Sequence, residues 1–191
     1  MIWTTNLALT MGTLVVWGFL MAFLFNIFMR TVSAKTDNYL VWVSAIMFAS
    51  YYFSDLFHDL SSGTEIYFTW FIYDLLTLLV VLFPLLFKRR LNLILKPASI
   101  YIFIGLIVNA ILFLAMFIDM NLLGNREPWL LWSIYSFTVN AVDYAMIITL
   151  IIGRDWLGLI RLARYAYSRA LKSEAKHEAR TEQCAHTVLH A

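Results

Sequence analysis

The amino-acid sequence predicts an all-α fold, a polytopic integral membrane bundle of five transmembrane helices followed by a basic amphipathic C-terminal helix. Of its 191 residues, 62% are hydrophobic and only 14% are charged, against roughly 45–50% and 25% in soluble domains. A transmembrane helix needs about 20 apolar residues to cross a hydrocarbon core of about 30 Å. Five segments satisfy this requirement, at about residues 7–29, 39–60, 66–87, 98–118 and 129–152.

The five predicted spans differ in the charges that they contain. The first and fourth contain none, whereas each of the other three contains at least one aspartate. The second is the least uniform, because its uncharged run stops after Ser54 and its last turn and a half contains Asp55, His58 and Asp59. The first span lacks a basic N-terminal region and is longer than the roughly 7–15 apolar residues of a signal peptide. We therefore interpret it as a retained span within a transmembrane domain of residues 1–152.

Lysine and arginine are concentrated in alternate connections between the spans. They follow the first, third and fifth spans, and Arg126 is the exception among the 14 basic residues. Because short cytoplasmic loops are enriched in basic residues, the N-terminus is expected outside and the C-terminus in the cytoplasm. The predicted location is a bacterial inner membrane or an equivalent membrane.

Residues 153–191 form the predicted cytoplasmic tail, which begins with a basic amphipathic helix. Its apolar residues recur at helical spacing from Trp156 to Leu171. Anionic headgroups attract each basic side chain at a membrane surface by about 1 kcal/mol. The basic face predicted to lie on the membrane consists of Arg161, Arg164, Arg169 and Lys172. The alternative is that this segment extends the fifth span as a solvated stalk.

Ionisable side chains in the second and third spans are functional candidates, because charge is costly inside a bilayer. Asp55, His58 and Asp59 share one face at the outer end of the second span, since residues three and four apart are helix neighbours. Tyr51 and Tyr52 continue that face inward. At about 1.5 Å per residue, Asp55 lies about 8 Å and Asp74 about 12 Å below the outer boundary. A hairpin of the two spans would let these carboxylates meet.

The fifth span carries a stripe of polar residues at spacings of three, four and three, namely Ser133, Ser136, Asn140 and Asp143. This stripe is expected to face the bundle interior and not lipid. Asp143 falls about 21 Å below the outer boundary at about 1.5 Å per residue, and Asn109 lies near the midplane with Asn140. These positions predict a proton or ion pathway formed by Asp55, His58, Asp59, Asp74, Asn109, Asn140 and Asp143.

The charge balance of the predicted spans limits what this pathway could carry. No Lys or Arg lies within a span, and His58 is the only ionisable base there. The acids must therefore be protonated, neutralised by bound cations or wetted by a cavity. The alternative is that polar residues connect helices by hydrogen bonds of about 0.6 kcal/mol each. The same chemistry could suit a metal ion, and its candidate ligands are Asp55, His58, Asp59 and Asp74.

Several classes of activity lack their required residues. A retinal protein needs an intramembrane lysine, and a haem held by two histidines needs a second intramembrane histidine. The single cysteine, Cys184, leaves no disulfide framework. No H-E-x-x-H, G-x-S-x-G or P-loop motif occurs. Enzymatic activity is thus the less favoured class, and no cofactor is predicted, although the sequence allows a bound cation.

The leading hypothesis is a small proton-handling or cation-handling membrane protein that acts as a channel or transporter subunit. One alternative is a non-catalytic interaction protein, such as a complex subunit, an immunity protein or a pore-forming effector. Another alternative is a lipid-binding or quinone-binding protein, because aromatic residues make up 17% of the chain. The expected partners are the lipid bilayer and either further copies of the chain or a larger membrane complex. Nucleic acid is not expected.

Overall fold

A computed structural model describes residues 2–34, 38–58, 63, 65–86 and 97–155, and in the C-terminal segment residues 158, 161–162, 165 and 167–169. All regular structure among these residues is helical, which confirms the all-α prediction for this part of the chain. The five α-helices are α1 Ile2–Thr31, α2 Asn38–His58, α3 Ile66–Leu86, α4 Pro97–Phe117 and α5 Leu130–Ile152. The chain divides into two compact units, Met1–Arg154 and Asp155–Ala191.

Four segments of the described helices are long and apolar enough to cross a membrane. They are Met11–Thr31, Ile66–Pro84, Pro97–Leu122 and Leu130–Ile152. These segments support a multi-pass membrane protein. Helix α2 is not among them.

The helices of the first unit form a closed ring in chain order. Each helix packs against the next, and α1 also packs against α5. A smaller contact between α2 and α4 crosses the interior. Residues from all five helices can therefore meet at the centre of the bundle.

The hydrophobic core fills about half of this ring. It extends from the end where α5 stops, here called the Gly153 end, to about the middle of the bundle. Its largest fully buried apolar side chains are Phe19, Met47, Ile102, Leu106, Met146 and Leu150. At the Gly153 end, α5 terminates because Gly153 adopts a left-handed conformation with φ of 69°, and its N–H donates to the Thr149 carbonyl.

Two glycines allow α5 to approach its neighbours closely just beyond Asp143. A Cβ atom at Gly105 of α4 would lie 2.5 Å from the Met146 sulfur. A Cβ atom at Gly18 of α1 would lie 2.6 Å from Cδ1 of Ile147. Because glycine has no side chain, it lets transmembrane helices pack at short distance. This contact positions Asp143 against α4.

An aromatic cluster occupies the opposite half of the bundle and connects α3, α4 and α5. Tyr67 contacts both Trp70 and Tyr135, each at 5.6 Å between ring centroids. Phe113 lies 5.4 Å from Trp70 and 5.9 Å from Tyr135. Edge-to-face and tilted pairs of this kind stabilise packing by about 0.5–1.5 kcal/mol each.

The connection between α4 and α5 is organised around Asp119. A π-helical turn, Ile118–Leu122, continues α4 and buries the Asp119 side chain. The Asp119 carboxylate accepts hydrogen bonds from the indole N–H groups of Trp129 at 2.9 Å and Trp132 at 3.0 Å. The side-chain amide of Asn125 donates to the same carboxylate at 3.3 Å. The two indoles therefore hold this connection in place.

The described residues of the C-terminal unit include two residues of the predicted basic face. The backbone N–H of Arg161 donates to the Asp155 carboxylate at 3.1 Å, and the Arg169 guanidinium lies 5.0 Å from the centre of the Tyr165 ring. Arg161 and Arg169 are both exposed. The other two residues of that face, Arg164 and Lys172, lie outside the described part, so the amphipathic helix stays a prediction.

Candidate functional site

Asp143 of α5 is buried and is contacted by polar groups from two other helices. The Tyr51 hydroxyl of α2 donates to its Oδ1 atom at 2.5 Å. The Asn109 side-chain amide of α4 donates to the same oxygen at 2.7 Å. The Asn109 Nδ2 atom also lies 3.4 Å from the Tyr51 hydroxyl oxygen. One carboxylate oxygen thus connects α2, α4 and α5.

The position of Tyr51 is determined by the packing of its ring. The ring centroid lies 4.4 Å from that of Phe19 on α1, and Phe19 is fully buried. Tyr51 follows Met47 by one helical turn, so its hydroxyl group lies just beyond the hydrophobic core. Packing against the core therefore holds the Tyr51 hydroxyl in contact with Asp143.

Asp74 of α3 is the second acid of this region, and only 6% of its surface is exposed. Its Oδ2 atom is fully buried and has no hydrogen-bond partner among the described residues. Electrostatic interactions connect Asp74 with Asp143 and with Tyr51. We call Tyr51, Asp74, Asn109 and Asp143 the polar cluster.

A hydroxyl pair connects α2 and α3 beside Asp74. The Thr77 hydroxyl donates to the Tyr73 carbonyl at 2.7 Å, so its proton is already used. The Ser50 hydroxyl must then donate to the Thr77 oxygen, 2.5 Å away. This contact holds the helix turn that contains Asp74 against the turn that contains Tyr51.

The polar cluster lies between the hydrophobic core and the aromatic cluster. Asp143 precedes the core residue Met146 by three positions and follows the aromatic residue Tyr135 by eight. The electrostatic field of Asp143 reaches Tyr135 as well. The site is therefore separated from the Gly153 end by closely packed apolar side chains.

The buried charged side chains near the site are all acidic. Among the described residues no Lys, Arg or His is buried, and the buried charged residues are Asp74, Asp119 and Asp143. The carbonyl oxygen Oδ1 of Asn109 is buried without a hydrogen-bond donor, as is Oδ2 of Asp74. A buried acceptor that lacks a donor costs about 1–3 kcal/mol. The cluster thus has two unsatisfied acceptors and no buried positive side chain in the described part.

The structure brings together three of the residues that the sequence singled out, namely Asp74, Asn109 and Asp143. Asn140, in contrast, donates to the Ser136 carbonyl of its own helix at 2.7 Å. Asp55 is exposed on α2. The side chain of His58 and the whole of Asp59 lie outside the described residues.

The expectation that the polar stripe of α5 faces the interior is wrong for two of its members. Ser133 and Ser136 are both exposed. The reason is that the buried residues of α5 begin only at Asp143. Before Asp143, the neighbouring helices cover α5 less completely. Equal spacing along a helix therefore does not imply equal burial.

The predicted metal ligands do not form a recognisable site in the described part of the chain. No group of three or more His, Cys, Asp or Glu side chains suited to a metal ion occurs among the described residues. Asp55 is exposed, whereas Asp74 is buried. Because His58 and Asp59 fall outside the description, the metal site stays an untested prediction.

One residue of the polar cluster, Tyr51, and one buried polar residue outside it, Asn26, were absent from the predicted pathway. Tyr51 was recognised only as a continuation of the Asp55 face, although it is one of the two donors to Asp143. Asn26 lies in the uncharged first span, and its amide donates to the Leu150 carbonyl at 3.1 Å. A buried amide in an otherwise apolar span is the sequence signal that could have indicated Asn26.

Comparison of the chain with protein-family models, with curated proteins and with solved structures gave no match. Function is therefore inferred from the geometry of the polar cluster.

Proposed function

We propose that this protein handles protons or monovalent cations in a membrane, as a small channel or transporter subunit, and that the polar cluster is its binding site. The observation that carries the proposal is the pair of buried acids, Asp74 and Asp143, on different helices and within electrostatic reach of each other. Two carboxylates in such a place are unstable when both are ionised without a compensating cation or proton. A site that must gain positive charge to be stable is suited to binding a proton or cation.

The burial of Asp74 and Asp143 favours a functional role for these acids over simple contact between helices. Interhelical hydrogen bonds need only neutral groups such as asparagine, serine and threonine, and Ser50, Thr77 and Asn109 already supply such contacts. An aspartate adds a titratable charge at considerable cost. Asp74 contributes no hydrogen bond through its buried Oδ2 atom, so packing alone does not explain its presence.

The proposal includes a topology of five spans, in which α2 crosses the membrane between α1 and α3. Helix α2 is 21 residues long and packs against both of these helices in the ring. The N-terminus is then outside and the C-terminus in the cytoplasm of a bacterial inner membrane or an equivalent membrane, as the loop charges suggest.

The native cysteine offers a direct test of this topology. A membrane-impermeant maleimide should label Cys184 in inverted vesicles but not in intact spheroplasts. A Cys184→Ser variant that also carries Glu127→Cys should show the opposite pattern, because Glu127 is an exposed residue of the α4–α5 connection. Labelling of Cys184 from outside would contradict the five-span topology.

We also propose that several copies of the chain, or a larger complex, form the complete pathway. The bundle exposes large apolar side chains around its circumference, for example Phe28, Leu79, Ile111 and Phe137. Lipid or neighbouring subunits would cover such residues in a membrane. The basic face of the C-terminal segment is proposed to contact anionic headgroups through residues that include the exposed Arg161 and Arg169.

Ion flux in proteoliposomes tests the central proposal. Asp74→Asn and Asp143→Asn retain side-chain shape and hydrogen bonding but remove the titratable charge. Each should abolish proton-dependent or cation-dependent flux while the protein still folds and reconstitutes. Glu65→Gln is the matched control, because Glu65 is an exposed acid outside the predicted pathway, and it should retain more than half of the flux.

Two results of the flux experiment would contradict the proposal. Flux that is unchanged in both cluster variants, with all proteins correctly folded, would contradict a role for the buried acids. A native protein that supports no flux for protons, sodium or potassium would favour the non-catalytic interaction protein instead.

A further inference from the structure

We infer that, of the two buried acids, Asp74 carries a proton and Asp143 carries the negative charge, so that the species held by the polar cluster is a proton and not a metal ion. This assignment deepens the proposed function, and its importance for transport rests on that function. It follows from the different hydrogen bonding of the two side chains.

Asp143 has the environment of an ionised carboxylate. Its Oδ1 atom accepts from a hydroxyl group and from an amide N–H at the same time. The O–H···O distance of 2.5 Å lies within the range of about 2.5–2.7 Å that is typical of a hydroxyl donating to an anionic oxygen. Two short donors on one oxygen stabilise the charged form of an acid more than its neutral form.

The orientation of the Asn109 amide is the one that an ionised Asp143 requires. If the amide were reversed, its carbonyl oxygen would face the Asp143 carboxylate at 2.7 Å, and two acceptors would repel each other. The N–H group must therefore point at Asp143, and the carbonyl oxygen must point away from it. That carbonyl oxygen is the second unsatisfied acceptor of the cluster.

Asp74 has the opposite environment. No hydrogen-bond donor reaches its buried Oδ2 atom, and the nearby charge of Asp143 disfavours a second negative charge. A protonated carboxyl group is neutral, so it avoids the repulsion from Asp143 and reduces the cost of burying an oxygen that no donor stabilises. The two acids therefore share one proton, and the unsatisfied side chain holds it.

A metal ion fits this arrangement less well than a proton does. Tyr51 and Asn109 point their hydrogen atoms at the site and leave few free oxygen lone pairs for a cation. Sodium, calcium and magnesium ions need several converging oxygen ligands. The described residues contain no group of three or more His, Cys, Asp or Glu side chains that could hold a metal ion.

The groups that face the cluster from each packed helix are consistent with this assignment. Helix α1 presents the Phe19 ring and α2 presents Tyr51. Helix α3 contributes Asp74, α4 contributes Asn109, and α5 contributes Asp143, with Tyr135 and Tyr67 at the boundary of the aromatic cluster. No buried base among the described residues competes for the proton.

Infrared spectroscopy of the purified full-length protein in lipid nanodiscs tests the assignment. At neutral pH, the native protein should show the C=O stretching band of a buried carboxylic acid, separate from carboxylate bands. Asp74→Asn should remove the band, whereas Asp143→Asn and the control Glu65→Gln should retain it. Asp74→Glu keeps the acid and should shift the band, which provides a readout even if Asp74→Asn fails to fold.

Three results would overturn the assignment. They are a native protein without the band at neutral pH, a band that disappears in Asp143→Asn but persists in Asp74→Asn, and a band that sodium or potassium chloride removes at constant pH. The last result would identify a cation site. An intact band in a protein without flux supports the assignment and contradicts only transport, whereas flux without a band contradicts the assignment alone.

Discussion

Replacing Tyr51 with phenylalanine separates a charged site from ordinary helix contact. The change removes the hydroxyl that donates to Asp143 at 2.5 Å but keeps the ring that packs on Phe19 at 4.4 Å. A hydrogen bond to a charged group contributes about 1.5–3 kcal/mol, whereas polar contacts between transmembrane helices average about 0.6 kcal/mol. An ionised Asp143 therefore predicts a decrease in the free energy of unfolding of about 1.5–3 kcal/mol. That is a change of roughly 10-fold to 150-fold in the unfolding equilibrium.

The assay is reversible unfolding in mixed detergent micelles, carried out as a double-mutant cycle with Asp143→Ala, because asparagine at this position would still accept the Tyr51 hydrogen bond. The cycle isolates the energy of the Tyr51–Asp143 pair from other effects of each substitution. Tyr52→Phe is the matched control, because Tyr52 is the neighbouring tyrosine and is 44% exposed, and it should change stability by less than about 0.5 kcal/mol. A coupling energy of about 0.6 kcal/mol or less would refute the charged state of Asp143 and support neutral helix contact.

Two further predictions concern the packing around the site. Gly105→Val should destabilise the bundle by about 1–3 kcal/mol through overpacking, because a Cβ atom at this position would lie 2.5 Å from the Met146 sulfur. Gly12→Val is the control, because no described atom lies within 4 Å of a Cβ atom there. It should lower the free energy of unfolding by less in the same assay. Trp132→Phe removes one indole donor to Asp119. Amide hydrogen exchange of residues 118–129 should therefore become faster, while exchange in the rest of the bundle stays unchanged. Equal exchange rates in the variant and the native protein would contradict a structural role for that contact.

The helical character of the chain was predictable because it depends on local properties. A segment of about 20 apolar residues in a bilayer must satisfy its backbone hydrogen bonds internally, and a helix does so. The predicted third, fourth and fifth segments, 66–87, 98–118 and 129–152, correspond to helices Ile66–Leu86, Pro97–Phe117 and Leu130–Ile152. Length and hydropathy were sufficient here, since neither depends on contacts with other helices.

Part of the candidate site was also predictable, because the cost of burying charge applies wherever an acid occurs in a span. Asp74 and Asp143 were selected on that ground, and both are buried. The hydrogen bond between Asn109 and Asp143 was not selected on any local signal. It exists because α4 and α5 pack closely where Gly105 faces Met146.

The sequence by itself determined which segments are helical and how far along each helix the acids lie, because hydropathy and a rise of about 1.5 Å per residue are local quantities. Only the tertiary structure decided which faces of the helices meet. Lipid is as apolar as the bundle interior, so an apolar helix carries little information about which side faces its neighbours. Ser136 and Asp143 therefore belong to one stripe in the sequence, but only Asp143 is buried, where Tyr51 and Asn109 supply donors from two other helices.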